Sequence, residues 1–137
     1  MLNFFSEDVD FNLPHPLKTK KWLKSVSLSE GYELKELNYI FCSDNYLLEI
    51  NKQYLDHDYY TDIITFDNSD EDNQLEGDIY VSLDRVKENA STFHVDFESE
   101  LRRVLVHGLL HLAGYDDSDD EQKQLMREKE NEHLTRF

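Results

Sequence analysis

Two histidines, His107 and His111, stand four residues apart in an apolar run that ends at Gly114, and the acidic pair Asp116 and Asp117 follows at once. Positions i and i+4 share one face of an α-helix, so the two imidazoles can grip one metal ion at about 2.0–2.1 Å. A helix that supplies two nitrogens and a loop that supplies a third donor is a common plan for an open, catalytic zinc site, with a fourth position left for water. An ion held this way lowers the pKa of water toward about 7 and polarises a phosphoryl oxygen. A lone histidine on such a helix reads more simply as a core residue bonded to backbone or carboxylate. Two on one line beside an acidic turn favour a metal.

The segment that carries them, Asp96 to Ala113, reads as a helix. Asp96 can cap its start, Glu98 and Glu100 suit the positive end of its dipole, and Gly114 is a natural left-handed stop. Leu101, Val104, Leu105, Val106, Leu109, Leu110 and Leu112 leave little of its surface polar, which predicts a buried helix. The exception is one line at spacings of three and four: Glu100, Arg103, His107 and His111. Gly108 follows the first histidine where a helical zinc peptidase needs its general-base glutamate, which argues against peptidase chemistry. A glycine inside a helix costs about 1 kcal/mol relative to alanine, so something must approach the backbone closely there.

The rest of the chain must position this helix. A length of 137 residues suits one domain, 1–137, with one core. No apolar run approaches the roughly 18 residues of a membrane span. No signal peptide is visible and Cys42 is the lone cysteine, which together lead us to expect a reducing cytoplasm and no membrane partner. Cys42, in a strand rich in β-formers, reads as inert. A formal net charge of −16 argues against broad nucleic-acid binding and predicts weak, selective, salt-sensitive RNA contact. Lys18, Lys20, Lys21 and Lys24 form one basic cluster, a solvated helix face or a small dock for RNA or an acidic protein patch.

Strands are expected at Leu2 to Phe5, Leu37 to Cys42, Ile63 to Phe66 and Ile79 to Val81. Helices are expected over about Leu17 to Leu28 (Leu17, Trp22, Leu23 and Val26 inward), after a cap at Ser43 or Asp44 (Leu47, Leu48, Ile50 and Tyr54 inward), over Ser82 to Ala90, and over the histidine segment. Ser118 to Glu121 matches a capping box that opens a last helix anchored by Leu125, Met126 and Leu134. That cap accounts for the acids after Ser118 but covers Asp116 and Asp117 less well. The acidic stretch Asp67 to Glu76 reads as a mobile loop or hairpin connection. His15 and His94 read as surface loop residues, and His133 as a C-terminal helix residue held in reserve as a ligand. Four strands and five helices give an α+β domain.

The stretch His107-Gly-Leu-Leu-His111-Leu-Ala-Gly114-Tyr115-Asp116 resembles the signature of the YbeY family, bacterial metal-dependent endoribonucleases of ribosomal RNA maturation. Asn51 to Tyr54 is similar to the family's N-x-x-Y segment, Thr61-Asp62-Ile-Ile-Thr-Phe66 to its T-D-V-L-S-F strand, and Gly77-Asp78-Ile79 to its G-D-I strand. The resemblance implies a mixed sheet with the metal helix packed against it. It also implies a zinc-dependent endoribonuclease specific for single-stranded RNA, acting on ribosomal RNA in maturation of the 16S 3′ end. A ribosomal protein and an assembly GTPase are the implied partners.

Two positions depart from the family. Its third histidine ligand falls on Asp117, and the arginine that follows N-x-x-Y falls on Leu55. Two histidines plus a carboxylate is a known catalytic zinc set, and the harder donor lets manganese or magnesium compete better. The expected catalytic and metal set is therefore His107, His111 and Asp117, with Asp116, Thr61, Asp62, His57 and Arg103 in support. His57, Lys52, Arg85 and Arg103 are the candidates to replace the arginine, since leucine cannot clamp a phosphate. The alternative is a non-catalytic, metal-containing assembly factor that binds ribosomal proteins. A third class is another metal hydrolase, a peptidase or a small-substrate phosphoesterase.

Overall fold

The computed structural model describes all 137 residues. Four strands, β1 (Leu2–Ser6), β2 (Glu33–Cys42), β3 (Ile63–Asp67) and β4 (Gln74–Ser82), form one sheet in the order β1-β2-β4-β3. β1, β2 and β4 run parallel, and β3 pairs antiparallel with β4, so the sheet is mixed as expected. Five helices accompany it: α1 (Pro16–Ser29), α2 (Asp44–Leu55), α3 (Leu83–Phe93), α4 (Phe97–Leu112) and α5 (Asp120–Leu134).

Side chains of a strand alternate between the two faces of its sheet, and here each face finds its own cover. Tyr39, Phe41, Ile79 and Val81 join Trp22, Leu23 and Val26 of α1 and Leu101, Leu105 and Leu109 of α4 in the main core. The alternate positions Cys42, Ile64, Phe66 and Tyr80 meet Leu47 and Ile50 of α2 in a smaller cluster on the other face. Burial pushes the Cys42 thiol up to about 12, helped by nearby acids, which agrees with an inert cysteine. Three helix starts follow the same local rule. Ser43, Ser82 and Asp96 accept hydrogen bonds from the amides of Tyr46, Arg85 and Ser99 at 3.2, 3.3 and 2.7 Å.

Gly108 is where α4 meets the sheet. A methyl group there would lie 2.7 Å from Cδ1 of Ile63 and 3.0 Å from Cγ2 of Ile79, so the missing side chain lets the helix settle onto β3 and β4. This close approach is what a glycine inside the helix leads one to expect.

Several expectations need correction. Leu17, Tyr54 and Leu125 were expected to face the core, but they are 76, 64 and 45 % exposed. Leu17 sits in the first turn of α1, and Tyr54 in the last turn of α2, where it packs edge-on against Phe66 at a centroid distance of 5.9 Å. On α5 the buried line is Met126, Glu130 and His133, which turns Leu125 outward. Strand β2 starts at Glu33, four residues early, because its polar half pairs with the first residues of β4 across a bulge between Leu34 and Glu36. Of the acidic stretch only 68–73 is a hairpin connection; Asp67 ends β3, and Gln74 to Glu76 open β4, which starts five residues earlier than expected. Ser69 Oγ ties the connection down with hydrogen bonds to the carbonyls of Glu71 and Gln74, at 2.7 and 2.8 Å. The cap of α5 is Asp119 rather than Ser118, in a reciprocal box with Gln122. Ser118 instead donates to Gln122 Oε1 at 2.7 Å and to Asp116 Oδ2 at 3.2 Å.

Candidate metal centre

Helical spacing brings His107 and His111 side by side at the C-terminal end of α4, with ring centroids 4.7 Å apart. Ala113 caps the helix, and Gly114, at φ 101°, turns the chain back so that Asp117 faces both rings. Asp117 Oδ2 lies 3.4 Å from His107 Nε2, and its Oδ1 lies 3.6 Å from His111 Nε2. One donor atom from each of the three residues falls within 4.8 Å of the others. Donors at about 2.1 Å around a tetrahedral ion lie about 3.4 Å apart. The separations to Asp117, one to each of its carboxylate oxygens, are of that size, and two imidazoles with a carboxylate suit zinc or a harder cation.

Asp116 braces the turn. Its Oδ1 accepts from the Asp117 amide at 2.8 Å and its Oδ2 from the Ser118 hydroxyl. The other nitrogen of His107 is also held: Nδ1 donates to Glu130 Oε2 at 2.7 Å, and Arg103 Nη1 donates to Glu130 Oε1 at 3.0 Å. A carboxylate on the far nitrogen fixes the tautomer that presents Nε2 to a metal. Burial alone would push the His107 imidazole down and the Glu130 carboxyl up. Their mutual bond and charge, with Arg103 added on Glu130, reverse both, so His107 lies above its ordinary value and Glu130 below.

Sequence reading had no place for Glu130. Its partner His107 is 23 residues away, beyond any helical spacing. The available signal was an acid at positions three and four from His133 and Met126 on a helix with few apolar anchors.

Asp62 and Arg103 join His107, Glu100 and Glu130 around a cavity of about 210 Å³. Burial raises the Asp62 carboxyl above its ordinary value, with His107 opposing, and Asn89 donates to its Oδ2 at 3.4 Å. Thr61, beside it, is half-buried and donates to the Ile63 carbonyl at 3.5 Å. The other candidates for the missing arginine are engaged elsewhere. Lys52 pairs with Glu49 and Asp58, Arg85 with Asp44 and Glu88, and His57 stacks on Tyr59 while its Nδ1 meets the Tyr59 hydroxyl at 3.1 Å. Of the four, Arg103 is the one that shares a cavity with His107. Leu55, at the arginine position, ends α2 and is 40 % exposed. Asn51 is buried and holds the following loop, donating to the Tyr59 carbonyl at 2.9 Å.

Fold and donor cluster together define a class: an α+β protein that carries a candidate hydrolytic metal centre at the end of a helix buried against a mixed sheet. The family described as Endoribonuclease YbeY matches residues 7–137, and the chain belongs to that family. Endoribonuclease YbeY of Cytophaga hutchinsonii is 52 % identical over 132 residues, 96 % of this chain and 92 % of that protein. Its namesake from Flavobacterium psychrophilum is 52 % identical over 133 residues, covering 97 and 94 %. The solution structure of a Thermotoga maritima protein, 34 % identical, superposes with a TM-score of 0.69 over 98 % of this chain and 87 % of that one. No helix is long and apolar enough to cross a membrane.

Proposed function

We propose that this chain is a metal-dependent endoribonuclease that cuts single-stranded RNA at the His107, His111 and Asp117 cluster, in maturation of the 16S ribosomal RNA 3′ end. The observation that carries this reading is the donor triangle, with Asp117 3.4 and 3.6 Å from the two Nε2 atoms. Family membership supplies the reaction class. A divalent ion held by these residues, zinc or else manganese or magnesium, would supply Lewis acidity toward a phosphodiester and toward water.

The chain's own residues do the rest. Glu130 and Arg103 hold the His107 ring in one orientation, so its Nε2 is set before any ligand arrives. Asp116 fixes the turn that aims Asp117. Asp62 sits in the same cavity as His107, and its raised carboxyl suits it to hold a proton for a departing oxygen. Arg103 takes the part of the family arginine, as a cation beside the developing charge. A ribosomal protein and an assembly GTPase are the proposed partners in a cytoplasmic setting.

The test compares the purified protein with its His111→Ala variant on single-stranded RNA, with metal content measured in both. Cleavage by the parent alone, with loss of bound metal in the variant, is the expected outcome. Equal cleavage in both would trace the activity to a contaminant and remove the site. Leu55 at the arginine position favours a second reading, a non-catalytic assembly factor that keeps the metal for structure. A folded His111→Ala protein that still rescues a deletion strain would favour that second reading.

A further inference from the structure

A cleft between α4 and α5 runs on from the cavity that holds His107. The two spaces share Phe93, Glu100, Arg103 and Arg127, and the outer one, of about 360 Å³, adds Arg102. Three arginines thus face one carboxylate, Glu100, on a chain whose net charge is −16. Burial raises the Glu100 carboxyl above its ordinary value, with Arg103 opposing.

The arginines differ in what already holds them. Arg103 is committed to Glu130 and Asn131. Arg127 is exposed and makes no salt bridge, and Arg102, which makes none either, lies over the face of Phe137, 4.5 Å from its centroid. Their charges reach Glu100 and Asp96 only at longer range. In a protein with 30 aspartates and glutamates, two guanidinium groups without a salt bridge keep their forks free for another anion. Phe93 lies at the seam of the two spaces and is 54 % exposed, as a base-stacking platform must be. Guanidinium forks match phosphate oxygens, and groups that alternate cation and aromatic suit a single strand.

We propose that the α4–α5 cleft binds the sugar–phosphate backbone of single-stranded RNA next to the metal centre, with Arg127 and Arg102 on successive phosphates and Phe93 under a base. The identity of the ligand rests on the endoribonuclease reading above. The lysines of α1, Lys21 and Lys24, are the rival basic surface; they border a different cavity, beside Met1 and Leu34.

The experiment measures binding of a fluorescein-labelled, nuclease-resistant 2′-O-methyl oligouridylate to the metal-loaded protein across a salt series. Arg127→Ala should weaken binding about five-fold at low salt, and Arg102→Ala/Arg127→Ala about twenty-fold. Each lost phosphate contact should flatten the salt slope by about 0.7. Lys21→Ala/Lys24→Ala removes the same charge elsewhere and should leave the slope as it was. Arg127 is exposed, so its variant keeps the test valid if the double variant folds poorly. Equal losses in the arginine and lysine pairs, no loss in the arginine pair, or no binding by the parent would each overturn the cleft. Cleavage of unmodified RNA is read separately. Arginine-dependent binding without cleavage would sink the nuclease reading and keep the cleft, and cleavage with arginine-independent binding would do the reverse.

Discussion

Two histidine–glutamate pairs hold α5 to the rest of the molecule. His107 of α4 meets Glu130 of α5, and His133 of α5 meets Glu30 at the end of α1, each with nitrogen and oxygen 2.7 Å apart. The contacts are alike, but the rings differ in what faces the second nitrogen. His107 is 21 % exposed and turns Nε2 toward Asp117 and, beside it, His111. His133 is fully buried, donates Nε2 to Glu30, and has no hydrogen-bond partner at Nδ1. Glu30 also accepts from the Tyr115 hydroxyl at 2.6 Å, and the indole of Trp22 donates to the His133 carbonyl at 2.8 Å. One pair orients a ring toward a ligand site, and the other ties the C-terminal helix to α1 and to the turn after α4. A histidine bonded to a carboxylate is therefore not in itself a functional signature; the surroundings of its remaining nitrogen decide.

The sharpest way to break this contrast is to disrupt each pair in turn. His133→Ala takes one donor from the half-buried Glu30 carboxylate, which keeps Tyr115 and Lys129, and the loss of a hydrogen bond to a charged group costs about 1.5–3 kcal/mol. Urea unfolding should read that loss, while RNA cleavage per folded molecule stays near the parent's. A variant that stayed as stable but lost cleavage would make His133 part of the site. At the other pair, Glu130→Gln keeps the shape and an acceptor but removes the charge. Loss of such a supporting carboxylate weakens metal binding about 10–100-fold. Competition with a chromogenic chelator measures this, and unchanged affinity would reduce Glu130 to a helix–helix tie.

The contrast also marks what the sequence made legible. His107, His111 and the acidic turn are local: helical spacing places the two rings on one face, and six residues separate His111 from Asp117. The strands were legible for the same reason, since Ile63 to Phe66 and Ile79 to Val81 carry β-formers between turn residues, whereas their mixed pairing was implied by the family resemblance. Both glutamate partners were out of reach. Glu30 lies 103 residues from His133, and nothing local links the end of α1 to α5. The arginine cleft was hidden likewise. Arg102 and Arg103 on α4 and Arg127 on α5 come together only through packing, and the overall charge of −16 pointed the other way. Where α5 was misread, at Leu125, a helix with few apolar residues had been allotted a conventional apolar face, although Glu130 and His133 are the residues it buries.

A smaller effect is expected at Gly108, which sets how closely α4, and so the rings of His107 and His111, lies on the sheet. Gly108→Ala gains about 1 kcal/mol of helix propensity but places a methyl 2.7 Å from the tip of Ile63 and 3.0 Å from Ile79. Overpacking of this kind costs about 1–3 kcal/mol. The neighbours are side chains, which can give, so the net loss should fall near 1 kcal/mol by thermal unfolding. A net gain in stability would mean that β3 and β4 yield freely, and that the glycine is not needed for packing.

The smallest predicted effect is read in the pH dependence of stability. Glu30 and Glu130 both sit below the ordinary carboxyl value of 4.5, through bonds from Tyr115 and His133 in one case and from His107 and Arg103 in the other, each overcoming burial. A carboxyl lowered in the folded state adds stability that is complete above its unfolded value and is lost as pH falls through the folded one. Both pairs therefore weaken the protein below about pH 4.5, each with a slope of at most about 1.4 kcal/mol per pH unit for one proton. Alkali acts on the open pair as well. His107 is raised above its ordinary value of 6.5. In the metal-free protein its contribution is complete below that value and is lost as pH rises through the folded one. A divalent ion at the proposed site would take the place of the Nε2 proton, so metal should abolish the alkaline decline and leave the acid one in place. Unfolding curves with chelator and with zinc, from pH 4 to 9, read this directly. An alkaline decline that survives saturating metal would mean that His107 does not bind the ion.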